Sequence, residues 1–442
     1  MRQNSAPHPG EASPRNRRPI ARRRGIPIAL ALCAGMLGGS LPFVPIGLDA
    51  ASAKAQAACQ GPQRDVSLPL PDLGNAPYVR MDGQVTEYTG GLYPGGANTR
   101  PPEHEAAGLA IASQIVPLDP DGTPDPTNGR IVMISIGMSN TQMDFQTLMD
   151  MAHSDPEINP RLTLVNGALG GRTADFWVDP ASMTWDQVDI ALGRADVSPL
   201  QVQVAWVKQT LVQGGEFPGK ALELQDALEA IVHNLLSHYP NLRIVFLSSR
   251  TRSFTYDRGL SPEPVAFETG FAVKWLIEAQ INGDPDLNYD PARGEVRAPF
   301  LSWGPYLWID GPNPRSDGLT WTPEDLAEDC THPSSTGLDK VGRMMLDFFT
   351  ADALAIPWFL EHAALPTATS TATPTLSPSP TLAATPTIAL PPTVSESEAE
   401  ATPSPTPVAG DAGGGLGSLV ALALVIVAGG GAAVLYLLRK RA

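Results

Sequence analysis

Four short stretches of this sequence carry residue types suited to nucleophilic chemistry. Gly137-Met138-Ser139-Asn140-Thr141 sets a serine two residues behind a glycine, and Asn166-Gly167-Ala168-Leu169-Gly170-Gly171-Arg172-Thr173 is glycine-rich. Lys208-Gln209-Thr210 follows the apolar run VQVAWV, and Asp329-Cys330-Thr331-His332-Pro333-Ser334 holds an aspartate three residues before a histidine. An aspartate so spaced can bond the imidazole and fix its tautomer, which leaves the other ring nitrogen as general base for a serine hydroxyl. A bare glycine N–H approaches a ligand closely and donates well to an oxyanion, and a side-chain amide or ammonium at a strand end can do the same. Taken together the chemistry is acyl transfer. Each stretch also has a plainer role: Ser139 as a helix cap, the glycines as a turn, Lys208–Thr210 as a solvated loop, the Asp–His pair as a surface turn.

The elements around these stretches decide whether they meet. Arg130–Gly137, Leu162–Val165, Val202–Val207, Arg243–Ser248 and Pro299–Trp303 are short apolar runs that read as buried strands. Between them, Lys220–His238 places Leu224, Leu228, Ile231, Val232, Leu235 and Leu236 on one helical face, and Pro264–Ala279 and Leu338–Phe349 are similar. A further helix is expected over about Thr141–Ala152. Strands alternating with amphipathic helices predict an α/β fold, a parallel sheet covered on both faces. Function in such sheets gathers at the carboxyl ends of the strands, where the first three chemical stretches lie.

In this order the stretches resemble the blocks of the SGNH/GDSL hydrolases, over roughly residues 130–350. The resemblance implies a three-layer sandwich with a flavodoxin-like sheet and a serine esterase activity without metal or cofactor. Ile136-Gly137-Met138-Ser139 matches the first block and implies Ser139 as nucleophile, its N–H an oxyanion donor. Gly170-Gly171-Arg172-Thr173 resembles the second and implies Gly171 as another donor. Asp329 to Ser334 matches the last and implies Asp329 and His332 as partners of Ser139. Two departures stand out: Met138 replaces the usual aspartate, which is no triad member, and the third block's Gly-x-Asn-Asp is absent. Val207-Lys208-Gln209 occupies its place, so the third donor is Gln209, with Lys208 its rival.

The ends of the chain read differently. Residues 1–58 carry an arginine cluster (Arg15 to Arg24), an apolar stretch from Ile26 to Leu48 and a small-residue site at Ala55-Gln56-Ala57, the pattern of a signal peptide. Residues 59–364 are the expected hydrolase domain, and 365–414 form a Thr/Pro/Ser-rich stalk with too few large apolar residues for a core. Residues 415–438 are an expected transmembrane helix, with the uncharged run Leu419–Leu438 followed by the basic tail 439–442. The positive-inside rule then places the domain outside a cell membrane that it spans once. Export puts Cys59 and Cys330 in an oxidising compartment, where a disulfide between them is expected.

The whole chain holds 30 basic and 46 acidic residues; residues 1–58 hold 8 and 2, so the remainder is 22 against 44, a net of −22. Such a charge argues against a nucleic-acid partner and suits solubility outside a cell; the partner that the resemblance implies is a small-molecule or glycan ester substrate. Arg172, Trp303 and Trp308 are candidate pocket residues, and Arg250 and Arg252 end the fourth strand, where an acidic substrate group or an ordinary surface loop would account for them. His104-Glu105 lacks the second histidine of a zinc-protease motif. The alternative to an esterase is a catalytically inactive domain of the same fold that serves as a surface binding module, for which the altered third block is the best support.

Overall fold

The computed structural model describes Cys59, residues 63–212 and residues 215–361. The expected signal peptide, stalk, membrane span and basic tail lie outside the described residues, among which no helix is long and apolar enough to cross a membrane.

After a single helical turn at Leu70–Leu73 come an antiparallel hairpin, β1 (Pro77–Val79) and β2 (Val85–Thr89), and helix α1 (Pro102–Ala112). The main sheet is built from β3 (Ile131–Gly137), β4 (Leu162–Val165), β5 (Val202–Lys208), β6 (Ile244–Leu247) and β7 (Phe300–Trp303). All four pairings are parallel, in the order β4-β3-β5-β6-β7. Counted from its first strand this is 2-1-3-4-5, the flavodoxin-like order. The helices between are α2 (Ser139–His153), α3 (Met183–Arg194), α4 (Gly219–His238), α5 (Val265–Ile281) and α6 (Ser335–Ala351).

Alternation along each strand explains the layers. Successive side chains point to opposite faces. Val132, Ile134 and Ile136 of β3 join one core with Val188 of α3, Leu228 of α4 and Phe271 of α5. Ile131 and Met133 join the other, with Phe145 of α2, Val341 and Met345 of α6, and Ala112 of α1. β5 and β6 divide in the same way: Val207 and Leu247 face the first core, Trp206 and Phe246 the second. The three-layer α/β sandwich expected from the sequence is what the chain forms. Burial on both faces is also why these strands read as continuous apolar runs.

The open edge at β7 is covered by the N-terminal segment. The Tyr93 hydroxyl meets Ser302 Oγ at 3.2 Å, Arg100 Nε donates to Ser302 Oγ at 2.9 Å, and His104 Nε2 lies 2.9 Å from the Leu301 carbonyl. Covering an edge in this way blocks strand addition by another chain. The same segment buries Tyr78 against Phe267 and Phe271, and its hydroxyl donates to Glu268 Oε1 at 3.0 Å.

Glu268 is 2% exposed, and burial pushes its carboxyl up from 4.5 to about 7. A carboxyl whose folded pKa is raised binds a proton more tightly in the folded state, so stability falls as pH rises from the unfolded value through the folded one. The melting temperature is expected to drop between about pH 5 and pH 8, and Glu268→Gln to shrink that drop. A calorimetric pH series on the two proteins checks this; equal slopes would count against it.

Candidate active site

Glycine lets β3 deliver its loop. A Cβ at Gly137 would lie 2.3 Å from Thr141 Oγ1 and 2.4 Å from the Lys208 carbonyl, so no other residue fits between β3 and β5 here. The chain turns directly into α2, whose N-cap is Met138 in an extended conformation, with no side-chain cap. Ser139 is therefore the first helical residue, not the cap, and its hydroxyl is left for other work. It alone among residues 131–140 is not buried. Its N–H belongs to the first helical turn, where N–H groups have no intrahelical acceptor and negative charge is favoured.

Ser139 Oγ lies 2.7 Å from His332 Nε2, and His332 Nδ1 lies 2.5 Å from Asp329 Oδ2. Asp329 Oδ1 accepts the N–H groups of Thr331 at 3.0 Å and His332 at 2.9 Å. An ionised carboxylate only accepts, so Nδ1 carries the ring proton and Nε2 is free to accept from the serine. The His332 side-chain bond, helped by these backbone donors against partial burial, holds the Asp329 carboxyl well below the usual carboxylate range.

The Asp–His loop is fixed from several sides. Cys330 is bonded to Cys59, 271 residues away. Cys330 also adopts a left-handed φ of 60°, unusual for a residue with a side chain. Its carbonyl accepts the Phe254 N–H at 3.0 Å, from the loop after β6. The Thr331 carbonyl accepts Asn140 Nδ2 at 3.0 Å, which ties the loop to the residue beside Ser139. Beyond the loop, Ser334 caps α6 by accepting the Gly337 N–H.

The loops after β4 and β5 are tied to the same edge. Asn166 Nδ2 donates to the Gln142 carbonyl at 2.7 Å, Ser135 Oγ donates to Asn166 Oδ1 at 2.9 Å, and the Leu169 N–H donates to the Gly137 carbonyl at 3.0 Å. Gly171 has a φ of 72° with open space around it, so its peptide N–H is unobstructed by any side chain of its own. The Ala174 N–H then donates to the Thr210 carbonyl at 2.9 Å and joins this loop to the end of β5.

The two candidates after β5 part ways. Lys208 Nζ is buried in an ion pair with Asp144 of α2, both side chains wholly inaccessible. Burial pushes the Asp144 carboxyl up and the Lys208 ammonium down, and each offsets the other's shift. Lys208 is therefore committed elsewhere. Gln209 is 3% exposed, and neither amide atom has a hydrogen-bond partner among the described residues. Its Nε2 remains a donor in need of an acceptor, since an unmet buried polar group costs about 1–3 kcal/mol.

Of the pocket candidates, Arg172 is exposed, its guanidinium 4.6 Å over the Phe176 ring. With Leu169, Gly170, Met183 and Gln187 it lines a cleft of ≈ 580 Å³ beside Gly171. Trp303 and Trp308 correct our expectation. Both are buried in the first core, and their indole N–H groups are used up by the Leu92 carbonyl at 2.6 Å and Glu263 Oε1 at 2.8 Å. Neither forms a pocket wall. Arg252, buried, pairs with Asp310 and donates to the Arg64 carbonyl at 2.7 Å, a structural clamp on the N-terminal segment. Asn140 and Asp144 carry roles that sequence reading missed; their spacing from Ser139 on a helix that must face the sheet was the available signal.

No protein-family model matches the chain, and no curated protein matches it. Among solved structures, it is similar to a Bacteroides fragilis protein described as a "putative acylhydrolase", at 13% identity and a TM-score of 0.29, over 56% of this chain and 97% of that one. It is also similar to the periplasmic domain of a lipopolysaccharide acetyltransferase from Salmonella ser. Paratyphi A, at 13% identity and a TM-score of 0.29, over 55% of this chain and 95% of that one. Likenesses this distant do not bear on the chemistry.

The Cys59–Cys330 bond closes a very long loop, which restricts the unfolded chain most. Cys59→Ser is expected to lower the unfolding free energy by about 2–5 kcal/mol, read from a denaturant titration. Reductant should then destabilise the parent protein and leave the variant unmoved. A parent protein insensitive to reductant would contradict this role.

Proposed function

We propose that this chain is a serine hydrolase that cleaves carboxylic esters through an acyl-enzyme. The observation that carries the reading is the continuous hydrogen-bond chain Ser139 Oγ–His332 Nε2 and His332 Nδ1–Asp329 Oδ2, at 2.7 and 2.5 Å, built on a serine hydroxyl that caps nothing. His332 takes the Ser139 proton as the hydroxyl oxygen attacks the ester carbonyl. The tetrahedral oxyanion is met by the N–H groups of Ser139 and Gly171 and by Gln209 Nε2. His332 returns the proton to the departing alcohol, and the acyl group stays on Ser139. A water molecule, deprotonated by the same imidazole, then releases the carboxylic acid and restores the serine.

The cleft beside Gly171 gives an extended alcohol a place to lie, and its mix of Arg172, Phe176, Met183 and Gln187 suits a sugar ring, with polar edges and apolar faces. We therefore take an acetylated glycan, or another small ester, as the substrate class. The signal, stalk and membrane span read from the sequence would hold the domain on the outside of a membrane.

Hydrolysis of p-nitrophenyl acetate by the full chain tests the reaction. Ser139→Ala and His332→Ala are each expected to lower kcat by about 10⁴-fold or more, and Gln209→Ala by about 10²–10³. Activity that survives Ser139→Ala would sink the mechanism. Activity that is indifferent to Gln209→Ala would remove that amide from the oxyanion site while leaving the triad intact.

A further inference from the structure

The ion pair between Lys208 and Asp144 stands where an apolar contact would serve the fold. Lys208 is the last residue of β5, Asp144 lies on α2, and neither side chain reaches water. Their surroundings are apolar. Phe145, next to Asp144, and Trp206, on the same strand as Lys208, both belong to the second core, and the Trp206 ring lies 5.8 Å from Lys208 Nζ. The desolvation cost of two buried charges can exceed their attraction, and apolar residues of similar volume are often as stable or more so. Nor is the pair arranged for the greatest attraction: Asp144 Oδ1 has no partner among the described residues. Stability is a poor reason for such a pair, and geometry is a better one.

Lys208 grips α2 twice. Its carbonyl accepts Thr141 Oγ1 at 2.6 Å, and its ammonium holds Asp144. Thr141 and Asp144 are three residues apart and share a helix face, so the two bonds fix both the depth of α2 and its roll about its own axis. Asn140, four residues before Asp144, donates from Nδ2 to the Thr331 carbonyl of the Asp–His loop at 3.0 Å. Ser139 opens the same turn, and a roll of the helix would swing its Oγ away from His332 Nε2, which it meets at 2.7 Å.

On the strand side, Lys208 stands directly before Gln209. The register sets it opposite Gly137 of β3. The Ser248 N–H donates to the Val207 carbonyl at 3.0 Å and the Ala174 N–H to the Thr210 carbonyl at 2.9 Å, so Gln209 is held between anchored neighbours. The pair thus couples the helix that bears the serine to the strand end that bears the amide. The other buried cations nearby do not. Arg250, on the loop leaving β6, makes no ion pair among the described residues, and its Nε and Nη2 have no partner there. Arg252 is taken by Asp310.

We propose that Lys208 and Asp144 are a positioning pair for the Ser139 site: their contact locks α2 against the end of β5, so that Ser139 Oγ meets His332 while Gln209 Nε2 is presented to the oxyanion. Neither residue touches substrate. The pair acts on alignment in the transition state and not on substrate binding, so its loss lowers kcat and leaves KM nearly unchanged.

The kinetic consequence rests on the esterase reading, but the structural part is readable without turnover. The test is Lys208→Met/Asp144→Leu in the full chain, which replaces both charges by apolar groups and leaves neither buried alone. Its denaturation midpoint is expected to equal or exceed that of the parent, while Lys208→Met alone, which strands the carboxylate, should lower it. A crystal structure of the double variant should show α2 displaced, with Ser139 Oγ beyond hydrogen-bond reach of His332 Nε2. On p-nitrophenyl acetate, kcat should fall by about 10²-fold at nearly constant KM. A stable double variant that keeps the Ser139–His332 contact, or that keeps the kcat of an active parent, would overturn the proposal. So would a double variant that fails to fold or melts well below the parent, since the pair would then be a stabilising element. A parent protein that turns over no ester would count against the esterase reading alone, and the crystal structure would still judge the pair.

Discussion

The hydrogen bond between Ser139 and His332 joins residues 193 positions apart, one on the first helix after the first sheet strand and one on the loop before the last helix. No local preference of the chain produces it. It exists because a parallel sheet sends every strand out at the same end, so the loops after β3, β4, β5 and β6 meet on one rim. The Asp–His loop is then lowered onto that rim and held there by Asn140, by the Phe254 N–H and by the disulfide to Cys59. Three independent fixings on six residues are more than a surface turn requires. They suit a catalytic group, whose position must be held to a fraction of an ångström.

The rim is also where the molecule tolerates its least satisfied chemistry. The unpartnered buried atoms among the described residues are those of Asp144, Gln209, Arg250, Thr251, Arg252 and Glu268. All lie on α2, at or beyond the ends of β5 and β6, or on α5. The rest of the interior is divided into two apolar cores that share the sheet. Apart from Glu268, which faces Tyr78, these unpaired groups gather at the end of the sheet where the candidate site lies.

The fold was legible because its strands are buried on both faces. Runs such as RIVMISIG and VQVAWV have no other reading, and their spacing by amphipathic helices leaves little choice of topology. Helix α3 was missed although Ser182, its cap, and Trp185, Val188 and Leu192 give the needed pattern; α1 and the N-terminal hairpin gave weaker signals. Motif order singles out Ser139, Asp329 and His332 as candidates, and the fold brings their side chains together. The choice between Gln209 and Lys208 was not, because it turns on a partner, Asp144, supplied by another element. Trp303 and Trp308 misled for a related reason: an aromatic run looks the same in sequence whether it walls a pocket or fills a core, and only the partners of the indole N–H groups decide. Arg250 and Arg252, alike in sequence, separate only when the carboxylates around each are seen.

The central claim is that Ser139 is a nucleophile activated by His332. The most direct measurement is intact-mass and peptide mass spectrometry of the full chain after exposure to an alkyl fluorophosphonate, which traps an activated serine as a covalent ester. The account predicts one adduct per chain, on the peptide that carries Ser139, and its loss in both Ser139→Ala and His332→Ala. A folded protein that takes up no reagent, or takes it up on another residue, would contradict it.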